Sequence, residues 1–226
     1  MLRLPFITFE GSEGSGKSTQ VERLAARLRS LGIPVLVTRE PGGTPIGETI
    51  KELLQFAPQG KAMTPETELL LFEASRSQLV RELIAPARER GVCVISDRFF
   101  DSTTVYQGVA RKLDALFVEQ LNRFAIGDCI PDSTFILDLD VATARAQMLR
   151  RVRVTGPDRM EQEPSEFYEE VRAAYRQLAE KEPNRVVLIN GAQTVEQIER
   201  EVWEILSSRF SALASKSSVA NRKSEI

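Results

Sequence analysis

Apolar residues along this chain fall into two alternating rhythms. Short runs rich in β-branched and aromatic residues read as five buried strands: the first at about 4–10, carrying Phe6-Ile7-Thr8-Phe9, and others at about 33–38, 92–96, 134–139 and 185–189. Between them apolar positions recur every three or four residues, as at Val21, Leu24, Ala25 and Leu28, and again at Leu69, Phe72, Leu79, Leu83 and Ala87. This spacing predicts helices at about 17–31, 45–56, 65–90, 101–109, 113–126, 141–151, 163–181 and 195–210. Thr44-Pro45 and Thr64-Pro65 read as an N-cap followed by a first helical residue, and Gly32 and Gly91 as stops. Pro86 should kink the helix it interrupts. Alternation of strand and helix throughout argues for a parallel α/β sheet. No internal repeat or second domain is visible. Residues 1–212 are expected to form one domain, with a Gly-Pro loop at about 150–161. The Ser-, Lys- and Ala-rich tail at 213–226 has little to bury and is expected to be disordered.

Composition narrows the chemistry. With 226 residues, 42% of them hydrophobic, the chain can bury a full core. A net charge of −2 does not suggest a nucleic-acid binder, and the basic residues concentrate locally, as in Arg150-Arg151-Val152-Arg153. The sequence has no histidine, which excludes histidine bases, Ser–His–Asp triads and histidine metal sites. Cys93 and Cys129 are far apart and read as reduced structural residues. Arg3 and Pro5 interrupt the N-terminal apolar stretch, so neither a signal peptide nor a membrane span is expected, and a cytoplasmic enzyme is the default.

The first strand runs into Gly11-Ser12-Glu13-Gly14-Ser15-Gly16-Lys17-Ser18-Thr19, which fits G-x-x-x-x-G-K-[ST], and a helical pattern follows at once. Strand, glycine loop and helix together make this a phosphate-binding loop. Its glycines let backbone N–H groups close on an anion at the positive end of the helix. Lys17 can reach the β- and γ-phosphates, and the Ser18 hydroxyl can ligate Mg²⁺. Asp97, closing the third strand, suits the carboxylate that holds the water shell of that ion. Other polar motifs also sit at strand ends, notably Arg39-Glu40 and Asp97-Arg98, where ligands bind in open parallel sheets. Phe72 and Arg76 are one helical turn apart on one face and could stack on a base and hydrogen-bond its edge.

The stretches FITFEGSEGSGKST, TREPGGT, LLLFEASRSQLV, ISDRFFDSTTVYQG and DRMEQE together resemble those of bacterial thymidylate (dTMP) kinases, over about residues 4–210. The resemblance implies a three-layer P-loop fold, a five-stranded parallel sheet in the order 2-3-1-4-5 flanked by helices, and a homodimer. It also implies roles. Gly11, Ser12, Glu13, Gly14, Ser15, Gly16, Lys17, Ser18 and Thr19 would cradle ATP. Glu13 would orient the phosphate or sugar of dTMP, and Arg39 and Arg98 would hold its phosphate. Phe72 would stack on thymine, with Arg76 at its carbonyl edge. Ser102, Thr103, Tyr106 and Gln107 would line the substrate site, Tyr106 crowding out a ribose hydroxyl. Asp158 and Glu161 match an acidic pair of the lid. Where some members carry a loop arginine this chain has Gly14, so the catalytic arginine is sought in the lid, among Arg150, Arg151, Arg153 and Arg159, with Arg151 or Arg153 favoured.

The expected reaction is phosphorylation of dTMP to dTDP with ATP and Mg²⁺, a step toward dTTP. The alternatives are another P-loop kinase using dUMP, dCMP or thymidine as acceptor, a GTP-driven switch, or a kinase-like chain acting only as a partner. No N-K-x-D motif is present to read guanine, and a switch needs no second phosphate site such as Arg39 and Arg98.

Overall fold

A computed structural model describes residues 4–57, 62–150 and 158–213. Five strands, Phe6–Glu10 (β1), Val35–Arg39 (β2), Cys93–Asp97 (β3), Ser133–Asp138 (β4) and Val186–Asn190 (β5), form one parallel sheet in the order β2-β3-β1-β4-β5. In β1 the alternation of a pleated strand sends Ile7 and Phe9 to one face, where they pack with Leu24 and Leu28 of the first helix, Lys17–Ser30 (α1). Phe6 goes to the other face, among Leu79, Val94 and Phe99. Both faces are covered, which is why the strands read as nearly continuous apolar runs.

The remaining helices are Pro45–Gln55 (α2), Pro65–Leu79 (α3), Ala85–Glu89 (α4), Phe100–Thr103 (α5), Ala115–Ile126 (α6), Val141–Leu149 (α7), Ser165–Lys181 (α8) and Val195–Arg209 (α9). The Thr-Pro starts behave as caps: Thr44 accepts the Gly47 N–H and Thr64 the Thr67 N–H. Pro86 acts differently from the simple kink expected. The long helix divides into α3 and α4 around a π turn at Val80–Ile84, one turn ahead of the proline. Pro86 has no N–H to give and its ring crowds the carbonyl of Glu82, so the wider turn absorbs the mismatch. A second π turn, Thr104–Ala110, continues α5.

Strand register positions the site. Arg39 pairs with Asp97, and Asp97 with Phe9, so the carboxyl ends of β1, β2 and β3 lie side by side. β4 and β5 lie on the far side of β1, and the crevice opens at the end of β1 where the connections diverge. Among the described residues no helix is long and apolar enough to cross a membrane.

Candidate active site

The loop after β1 turns on positive φ at Gly11 (132°), Gly14 (81°) and Gly16 (94°). Two of these positions are also closed to a side chain by their neighbours. A Cβ on Gly11 would lie 2.7 Å from the Leu137 carbonyl oxygen, and one on Gly14 only 2.2 Å from that of Ala144 in α7. Lys17, first residue of α1, is buried, and its ammonium donates to the carbonyls of Gly11 at 3.1 Å and Ser12 at 2.8 Å. Burial, then the nearby Arg98 charge, lowers its pKa to about 8. Ser18 Oγ donates to Asp97 Oδ2 at 2.5 Å. These two hard oxygens at the edge of a phosphate loop suit a divalent cation that takes its other ligands from phosphate and water. Thr19 is exposed and stands apart from the cavity wall.

One cavity of about 180 Å³ brings together most of the expected residues. The loop contributes Glu13, Lys17 and Ser18, β2 contributes Arg39, and the end of β3 contributes Asp97 and Arg98. Phe72 of α3, Ser102 and Thr103 of α5, Tyr106 and Gln107 of the second π turn, and Asp158 and Glu161 complete the wall. Arg39 stands at the mouth, 54% exposed in its side chain, with Glu48 as a partner at 2.7 Å. Arg98 is nearly enclosed and donates to Glu13 Oε1 at 2.6 Å. Its φ of 69° is a left-handed conformation that costs a non-glycine residue about 1–2 kcal/mol. Asp158 and Glu161 each accept the other's backbone N–H, at 2.9 and 3.2 Å, which fixes both carboxylates.

Arg76, expected at a base edge, lies deeper than the other expected residues. It is 1% exposed and absent from the cavity wall. Its Nε donates to Glu40 at 2.8 Å, Nη1 to Glu73 at 2.6 Å and Asn122 at 3.3 Å, and Nη2 lies 2.7 Å from Glu40 and 3.4 Å from the Phe99 carbonyl oxygen. A buried guanidinium must satisfy its donors internally, and this one has. The spacing that put Phe72 and Arg76 on one helix face was right, but Arg76 sits beneath that face. Of the lid arginines, Arg159 is committed to Glu68 and the Leu54 carbonyl, and Arg150 is exposed at the end of α7. Arg151 and Arg153 lie outside the described residues.

Glu40, named with Arg39 at the end of β2, lines the cavity too, and so do Pro41, Lys51, Gln55 and Met160, which were not singled out from the sequence. Lys51 and Gln55 are one turn apart on α2, an amphipathic helix whose polar side reads as ordinary solvated surface until the cavity appears beside it. Glu40 sits in the TREPGGT stretch, and its burial raises its pKa to about 7 despite Arg76.

Comparison with known proteins agrees with this geometry. The family described as thymidylate kinase matches residues 9–202. The thymidylate kinase of Afipia carboxidovorans is 45% identical over 207 residues, covering 92% of this chain and 90% of its own. That of Thermomicrobium roseum is 47% identical over 198 residues, 88% of this chain and 92% of its own. The crystal structure of thymidylate kinase from Ehrlichia chaffeensis superposes with a TM-score of 0.72 at 36% identity, over 90% of this chain and 98% of the other. On sequence, fold and the layout of its phosphate loop and cavity, the chain belongs to the thymidylate kinase family.

Proposed function

We propose that this protein transfers the γ-phosphoryl group of ATP to the phosphate of dTMP, giving dTDP. The observation that carries the reading is one cavity that holds both a phosphate loop and two further arginines. Lys17 and Ser18 of the phosphate loop share its wall with Arg39 and Arg98 and with Phe72 and Gln107. The donor's β- and γ-phosphates would lie over the Gly11–Thr19 loop, and the acceptor's phosphate against Arg39 and Arg98. Thr103 Oγ1 is buried, lines the cavity and has no hydrogen-bond partner among the described residues, so it is available to a base. Tyr106, held edge-on by Phe167 at 6.0 Å, would crowd a ribose hydroxyl. Ser18 and Asp97 would hold Mg²⁺, which neutralises phosphate charge when bound.

The acceptor oxygen is already anionic, so the chain needs no histidine base. The task is to bring two polyanions together and align them. Lys17, Arg39 and Arg98 supply positive charge around the transferring group in a partly enclosed site, where such charge acts strongly. Arg151 or Arg153 would add charge at the transition state, worth on the order of 10³-fold in rate. The working partner would be a second copy of the chain, and exposed Leu70 on α3 with Leu116, Phe117 and Phe124 on α6 offers an apolar surface for it.

The deciding experiment is ATP turnover with dTMP, dUMP, dCMP and thymidine side by side. Fastest turnover with dTMP is expected, and a preference for any other acceptor overturns the reading. Lys17→Ala should abolish turnover. Of Arg151→Ala and Arg153→Ala, one should lower kcat far more than dTMP affinity; if neither does, the lid arginine assignment is wrong.

A further inference from the structure

Arg98 is gripped from two sides. Its Nη2 donates to Glu13 Oε1 at 2.6 Å and to Tyr106 Oη at 3.4 Å, both residues of the cavity wall. Its Nη1 donates to Ser102 Oγ at 3.0 Å, also of the wall, and to Tyr175 Oη at 3.4 Å. Tyr175 is outside the wall, 2% exposed on α8. Behind these two hydroxyls lies Glu10, which is fully buried. Glu10 Oε2 accepts from Ser102 Oγ at 2.6 Å and Tyr175 Oη at 2.8 Å, and Oε1 accepts the Phe99 N–H at 2.7 Å.

The direction of these bonds follows from proton counting. A hydroxyl has one proton and an ionised carboxylate has none. With Glu10 ionised and 3.8 Å from Arg98 Nη1, both hydroxyl protons can point at it while both oxygens turn lone pairs toward Nη1; the two hydroxyl oxygens are themselves 3.1 Å apart. The backbone is fixed as well: Ser96 Oγ donates to the Arg98 carbonyl at 2.6 Å, and the Arg98 N–H donates to the Phe9 carbonyl at 2.9 Å. The left-handed turn is thus held on both flanks. Neither Glu10 nor Tyr175 touches the cavity, and nothing in the phosphate chemistry requires them directly.

We propose that Tyr175 is a positioning residue for Arg98: with Ser102 and Glu10 it fixes the inner edge of the guanidinium, so that the outer edge is presented to the acceptor phosphate. This rests on the reading of Arg98 as a contact to that phosphate. A guanidinium already held in place loses less freedom when the anion arrives. The arrangement also ties α8 to the acceptor site, because the Tyr175 ring lies edge-on to that of Tyr106 at 6.3 Å.

The test measures binding of dTMP and of thymidine, which lacks the phosphate, by calorimetry. The proteins are wild type, Tyr175→Phe, Arg98→Ala and the double variant. Tyr175→Phe is expected to weaken dTMP about tenfold, the low end for a hydrogen bond to a charged group, and to leave thymidine within about twofold. In the Arg98→Ala background it should have no further effect on dTMP. Equal losses for both ligands indicate a packing role and overturn the proposal, as does unchanged dTMP binding. If Arg98→Ala itself leaves the preference for dTMP over thymidine intact, the Arg98 reading fails and the proposal with it. If Arg98→Ala removes that preference but Tyr175→Phe does not, only the Tyr175 role fails. Should folded Tyr175→Phe not be obtained, Ser102→Ala opens the same Nη1 edge; a phosphate-selective loss supports the proposal, and a non-selective one overturns it.

Discussion

At the scale of single residues, burial decides what each charge can do. Lys17 is held in the loop with its pKa lowered to about 8, by burial first and by Arg98 second. Below about pH 8 the free protein carries the charge that attracts a polyphosphate; above it, that charge is lost. The kcat/KM for ATP, which reports ionisations of the free enzyme, should therefore fall as pH rises through about 8, and a flat profile there would show that Lys17 keeps its ordinary pKa. Stability runs in the opposite sense. Between about 8 and the ordinary value of 10.5 the unfolded chain binds more protons than the folded one, so this lysine favours folding increasingly across that window. Arg76 shows the other outcome of burial. Replacing it with Ala would leave Glu40 and Glu73 enclosed without their cation, at a cost of roughly 3–5 kcal/mol in chemical denaturation. A loss below about 1 kcal/mol would mean that water reaches the two carboxylates once the guanidinium is gone.

At the scale of elements, the loop and α7 are fitted to each other. The α7 backbone occupies the space a side chain on Gly14 would need, and the φ of 81° already disfavours any L residue there. Gly14→Arg, which would place a basic residue directly in the loop, should therefore destabilise the protein by about 2 kcal/mol or more rather than add a catalytic charge. Undiminished stability with raised kcat would show that α7 can move aside. Further along, α9 starts with a full capping box: Thr194 accepts the Gln197 N–H and the Gln197 side chain accepts that of Thr194. Thr194→Ala should cost about 1 kcal/mol, read as a fall of roughly 2–4 °C in Tm. That helix packs against α1 and the sheet face bearing Ile7 and Phe9, and none of its residues lines the cavity, so kcat should not change with it.

At the scale of the whole molecule, binding and folding are linked, because the cavity is assembled from the loop after β1, α1, α2, α3, α5, the ends of β2 and β3, the second π turn and the 158–161 stretch at once. Saturation with dTMP at about 100 times Kd should add about 2.7 kcal/mol of stability, a Tm rise of roughly 5–10 °C; no rise would mean that the cavity is not the acceptor site. Much of this architecture is legible in the chain. Short apolar runs marked all five strands and a period of three to four nearly every helix, because strands buried on both faces and helices buried on one each record that burial in their own residue order. The glycine loop was readable for the same local reason: strand, turn and helix are contiguous. What the residue order could not decide was how side chains far apart in the chain divide one small enclosed volume. Phe72 and Arg76 share a helix face by spacing, yet only packing puts Phe72 in the cavity and Arg76 against Glu40 and Glu73. Pro86 announced a disturbance, and only the packed helix showed that a π turn would absorb it. Glu10 and Tyr175 carry no local signature at all, since a glutamate ending a strand and a tyrosine on an amphipathic helix are ordinary. They acquire a role although they stand 165 positions apart, because a hydrogen bond depends on distance in space and not on distance along the sequence.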